Sequence, residues 1–181
     1  RASWNGCEAV RRRALLLAAA PWAGSGLAGC GVSAVPAPFD SLASARQALQ
    51  ALPATARMAE GWPLPQVLVH LAQSIEYSMA GFPAPRSALF RSTVGPLAFA
   101  VFSARGRMSH GLDEPIPGAP AIDPATSQTA AVARLVEALT RFEAHTGPLQ
   151  PHFAYGALDK AAYTQAHLMH LADHWQLMRG A

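Results

Sequence analysis

The chain has two cysteines in 181 residues, Cys7 and Cys30, and none after position 30. Beyond that point an internal disulfide, a cysteine nucleophile and a thiolate metal ligand are all excluded. Alternating, β-branched strand patterns are nearly absent, so helical signals dominate. The apolar run 14–20 stops at Pro21 and is too short to span a bilayer as a permanent helix. There is no internal repeat, and no His-Glu-x-x-His or Gly-x-Ser-x-Gly string to name a reaction. Net charge is also scarce. The whole chain carries +3, but four of its arginines precede Cys30; from Cys30 onward ten basic face ten acidic residues. No basic patch is left to neutralise phosphates, which argues against a nucleic-acid partner.

The N-terminus reads as a targeting segment. Arg11, Arg12 and Arg13 form a basic region, an apolar run follows, and small residues lead to Leu27-Ala28-Gly29-Cys30. That order is the pattern of a secretory signal, expected over 1–29. The tetrapeptide resembles a bacterial lipobox, in which the cysteine is lipidated and becomes the new N-terminus. Acyl chains on Cys30 would hold the protein at a membrane, each buried methylene contributing about 0.8 kcal/mol. Arg12-Arg13-Ala14-Leu15-Leu16 also resembles a twin-arginine export signal, and the general unfolded route stays open beside it. Residues 1–9 read as an upstream extension, with the start near Val10. The expected location is the cell envelope, facing the periplasm or the exterior. The alternative is a plain signal peptide cleaved nearby, with Cys30 a bystander.

After a lipidated tether over 30–38, residues 39–181 are one domain's worth of chain. Asp40 and Ser41 predict the start of a short leading helix running to Leu52 and ended by Pro53. A second helix is predicted from Pro63 to Ala80, with Leu64, Val67, Leu68, Leu71 and Ile75 at helical spacing and Gly81 at its end. A third apolar stretch, Ser87 to Ala104, is expected to break at Gly95-Pro96. The Pro- and Gly-rich segment from Gly111 to Pro124 reads as a loop. Asp123 is expected to cap a fourth helix that buries Val132, Leu135, Val136, Leu139 and Phe142 and stops at Gly147. Asp159 is expected to cap a last helix reaching Met178. The expected fold is all-α: an antiparallel four-helix bundle with a crossover connection, plus the short leading helix.

The last helix carries the chemistry. His170 and His174 lie four apart on one face, and His167 precedes His170 by three. Leu168, Leu171 and Trp175 make this helix apolar nearly all round, so the stripe should face the bundle interior. Buried imidazoles need hydrogen-bond partners or a shared cation. His167 and His174 are about 10 Å apart along the axis and do not meet on one ion. A third ligand must come from elsewhere, and His70, midway along the second helix near Ser74 and Tyr77, is the best candidate. His110, His145 and His152 fall in loops or at helix ends and rank lower. The competing reading is histidines satisfied by ordinary hydrogen bonds.

Several stretches together resemble the DinB/YfiT-like superfamily, and more narrowly its domain-of-unknown-function 1569 family. They are the segment from Gly61 to Tyr77, Pro115-Ile116-Pro117-Gly118-Ala119-Pro120, His152-Phe153-Ala154-Tyr155-Gly156, and the segment from Ala166 to His174. The likeness implies a four-helix bundle with three histidine ligands, which fall on His70, His170 and His174. His167, Tyr77 and Asp173 are then candidates to support them, with Glu76 a further helper; Glu76 and Asp173 also read as solvated or helix-pairing residues. Where better-studied members continue with Arg-Gly-Gln, this chain has Trp175-Gln176-Leu177, which puts the thiol transfer of some members in doubt.

The cofactor implied is one divalent metal, zinc first, with nickel or iron also accepted by imidazole. Two functions stay open: a metal-dependent enzyme of hydrolase or thiol-dependent transferase type, or a non-catalytic metal-binding or structural lipoprotein. The expected partners are the membrane, through the anchor on Cys30, and an unidentified small-molecule substrate; a homodimer is left open.

Overall fold

The computed structural model describes residues 39–180. The expected signal over 1–29, Cys30 and the tether over 30–38 lie outside the described residues. Six helices and two short strands follow in the order α1 (Leu42–Gln50), β1 (Arg57–Met58), α2 (Leu64–Ala80), α3 (Ala88–Ser92), α4 (Val94–Arg105), α5 (Gln128–Ala144), α6 (Lys160–Trp175) and β2 (Met178–Arg179). The longer helices α2, α4, α5 and α6 make the all-α, DinB/YfiT-like bundle, with α1 and α3 as short additions. The connection over 106–127 crosses between α4 and α5. No helix among the described residues is long and apolar enough to cross a membrane.

Local chemistry explains most helix boundaries. Ser41 caps α1 in a reciprocal capping box with Ser44. Gly81 ends α2 at φ +107°, where a side chain would be strained. Asp159 caps α6 through the Ala162 N–H. At the end of α5, Phe142 O accepts from the His145 N–H, and Lys160 Nζ donates to the carbonyls of Phe142, Glu143 and His145, covering the helix C-terminus with a positive charge.

Three boundaries differ from expectation. The third stretch breaks at Thr93 rather than at Gly95-Pro96: Thr93 Oγ1 donates to Leu89 O, and its φ/ψ of −127°/−78° leave the helix. Pro96 sits in the first turn of α4, where its missing N–H is no loss. The fourth helix starts after Ser127, whose side chain accepts from Ala130 N. Asp123 instead accepts from Ala125 N in a local turn two residues on. The last helix ends at Trp175. Met178 and Arg179 then pair antiparallel with Met58 and Arg57, a strand pair too short for any alternation to show.

The apolar core is filled from α1, α2, α5 and α6, around Leu49, Leu68, Leu71, Ile75, Leu135, Leu139, Phe142, Tyr163 and Leu171. α2 packs most closely on α5. Arg134 on α5 fastens them at the surface with a two-pronged contact to Glu76, at 3.0 and 2.7 Å. Glu76 is therefore a helix-pairing residue. α3 buries none of its residues and α4 buries only Gly95.

Candidate metal centre

α2 and α6 lie side by side and bring His70, His170 and His174 together, and a fourth histidine joins them. His110, from the loop after α4, completes a cluster in which one ring nitrogen from each residue lies within 4.8 Å of all the others. His70 Nε2 and His170 Nε2 are 3.2 Å apart. Ring centroids are 5.0 Å apart for His70–His170, 5.4 Å for His70–His174, 5.1 Å for His170–His174 and 4.8 Å for His110–His170.

The hydrogen-bond balance of this cluster is poor without an ion. His174 is wholly buried and neither of its nitrogens has a partner; His70 Nδ1 is likewise buried and unpaired. Leaving such groups unmet costs roughly 1–3 kcal/mol each. Burial is the main reason the His70 imidazolium is disfavoured, its pKa falling to about 4, with His110 adding repulsion. Burial likewise brings His174 down to about 3, with repulsion from His70 and His110 added. His170 is pushed well below the usual value by burial and then by its histidine neighbours. Neutral rings with free lone pairs converging on a point are the donor set a divalent metal takes. The residues present therefore fit such an ion.

Asp173 gives His110 its orientation. Its Oδ2 is 2.9 Å from His110 Nδ1, and its Oδ1 accepts from Gln176 Nε2 at 3.0 Å. With Nδ1–H donated to the carboxylate, the Nε2 lone pair is free, the arrangement common behind metal-bound histidines. His110 itself is exposed and loop-borne, unlike the three helical rings.

Beside the cluster is a cavity of about 310 Å³, within the range of small-molecule sites. His70, His110 and His170 line it together with apolar groups that include Phe90, Met108, Ile116, Phe153 and Tyr155; exposed Arg86, Glu114 and Pro117 form its rim. The Pro115–Pro120 stretch thus supplies one wall. His152 and His167 line another. His152 Nδ1 accepts two backbone N–H groups, from Ala154 at 3.2 Å and Tyr155 at 3.1 Å, so its ring proton sits on Nε2. Burial holds its pKa down to about 3. The turn that achieves this is closed by reciprocal bonds between His152 and Gly156 and by stacking of the His152 and Tyr155 rings at 4.3 Å. His167 stacks on Tyr163 and meets Ser78 Oγ at 3.3 Å. That hydroxyl donates to Ile75 O, so His167 Nε2 is the donor in the pair.

Of the supporting candidates, Asp173 touches the cluster, His167 lines the adjoining cavity, and Tyr77 is at neither. Tyr77 packs on Phe82 and lines a separate depression with Arg141 and His145. Spacing could not have found His110, because a loop residue carries no periodicity.

Fold and site together define a helical-bundle protein with a histidine cluster able to coordinate a metal. Residues 36–180 match the family described as "Protein of unknown function (DUF1569)", and the chain belongs to that family. No curated protein and no solved structure matches it.

Proposed function

We propose that the domain is a metal-dependent enzyme that holds one divalent ion through His70, His170 and His174, with His110 closing the set on the cavity side. The observation that carries this reading is continuity: the imidazoles with unmet nitrogens adjoin a small-molecule-sized cavity, and three of the four rings line it. When bound, such an ion supplies a Lewis acid that polarises a substrate oxygen or sulfur. Zinc suits four imidazoles best, and nickel or iron are also accepted. His110, on a loop, is the ligand able to give way to substrate; the helical three are fixed by packing. The cavity walls are largely apolar, and the fixed Nε2–H of His152 is available to orient a substrate acceptor. Hydrolysis and thiol-dependent transfer both remain within this chemistry.

A second reading is favoured by the ligand count. Four imidazoles fill a tetrahedral set, as structural sites do, and the domain would then be a metal-binding or structural protein without turnover. The Leu-Ala-Gly-Cys motif at Cys30 supports an envelope location, with a lipid anchor, under either reading.

Elemental analysis tests the shared premise. The purified protein is expected to carry about one metal per chain, His174→Ala to lose it and His110→Ala to retain it at lower affinity. Equal metal in wild type and His174→Ala would remove the site. Assays of the metal-loaded protein on small esters, amides and thiol-acceptor pairs then separate the readings. Turnover that disappears in His174→Ala selects the enzyme, and full metal without turnover selects the structural protein.

A further inference from the structure

The outer face of α3 and α4 has no partner among the described residues. α4 is apolar on all sides, a pattern that normally marks a buried helix. Yet Leu89 is 74% exposed, Leu97 67%, Val94 52% and Val101 39%. Val94, Leu97 and Val101 recur at i, i+3 and i+7, so they form one stripe along α4. The inward residues of the same hairpin, Phe90, Gly95 and Ala98, line the cavity beside the histidines, leaving the stripe to face outward.

Charge is distributed to match. Between Glu76 and Asp113 there is no acidic residue, but there are four arginines: Arg86, Arg91, Arg105 and Arg107. Arg86 and Arg91 precede α4, Arg105 ends it and Arg107 follows it, and none forms a salt bridge among the described residues. The rest of the segment from Cys30 onward carries ten acids and six bases, so a domain of zero net charge is strongly polarised.

We infer that this face docks on an anionic lipid bilayer. An apolar helix edged by arginines buries its stripe at the acyl boundary while the guanidiniums meet acidic headgroups. With 12 residues, α4 is too short to cross a bilayer and would lie in its surface. A second copy fits less well, because two-fold pairing sets one group of four arginines against the other. Docked this way, the wall of the cavity rests against the headgroup layer.

The test is vesicle sedimentation of the full chain carrying Cys30→Ala, so that no acyl chain contributes. Mixed phosphatidylcholine–phosphatidylglycerol vesicles are compared with phosphatidylcholine alone, at low and high salt. The expected result is binding to the mixed vesicles that weakens with salt. Leu97→Glu/Val101→Glu and, separately, Arg105→Gln/Arg107→Gln are each expected to lower partitioning about tenfold. Arg57→Gln/Arg141→Gln, with the same loss of charge elsewhere, is expected to bind as the parent does. Parental binding by both the Glu and the Arg105/Arg107 variants overturns the inference. So does a dimer in size-exclusion chromatography that Leu97→Glu/Val101→Glu converts to monomer, which would assign the face to a second copy.

Discussion

Asp173 sits one residue before a wholly buried histidine, and its carboxylate, itself largely covered, holds the ring of His110. Replacing it with Asn removes the charge and much of the preference for a proton on Nδ1. Asp173→Asn is expected to weaken metal affinity by roughly 10–100-fold with helix content unchanged. Competition against a chromophoric chelator measures this, and an affinity equal to wild type would show that His110 needs no such orientation. Three of the four clustered rings were legible in the sequence. His170 and His174 are tied by helical period, and His70 sits within an apolar helical run. His110 was not legible, because its place depends on the path of a loop over 106–127 that no local pattern encodes. Asp173 could be named from its neighbours, but its partner could not.

At the scale of elements, the segment 152–156 is the most constrained. Gly156 has φ +80°, and a Cβ there would lie 2.3 Å from Arg91 O. Gly106 has a similar φ of +63° but open space around it. Gly106→Ala is therefore expected to cost roughly 1 kcal/mol, the left-handed penalty alone. Gly156→Ala is expected to cost about 2 kcal/mol or more, because strain and collision add. Chemical denaturation of the two variants checks the difference, and equal losses would mean that the loop shifts freely away from α3. Element boundaries show where sequence patterns mislead. Asp123-Pro124 has the form of a helix start, but the Asp side chain is satisfied two residues on, and Ser127 opens the helix instead. The apolar stretch 88–105 has the composition of a core helix, yet core position is decided by neighbours, and α4 has few.

The whole molecule carries an acid-labile interior. His152 and His167 are both buried, and burial lowers each pKa from the usual 6.5 to about 3. Depressed histidine pKa values mean that the unfolded chain binds more protons than the folded one. Stability is therefore fully present above about pH 6.5 and declines as pH falls towards 3, by up to about 1.4 kcal/mol per pH unit for each ring. The metal-free protein is expected to show a clear fall in thermal midpoint between pH 7 and pH 5, recorded by circular dichroism. His167→Phe, which keeps the stacking surface and removes one titrating group, is expected to lower that slope by one ring's share, His152 and the clustered histidines keeping the rest; an unchanged slope would place the acid sensitivity elsewhere.

His70 and His170 lie a hundred positions apart in the chain, and their ring nitrogens nearly touch. An ion gripped by both would be a removable staple across most of the domain, in a segment whose lack of cysteine pairs denies it a covalent one. Chelation and reduction would then part company as stresses: a chelator would soften the fold, while a thiol reagent would leave it untouched.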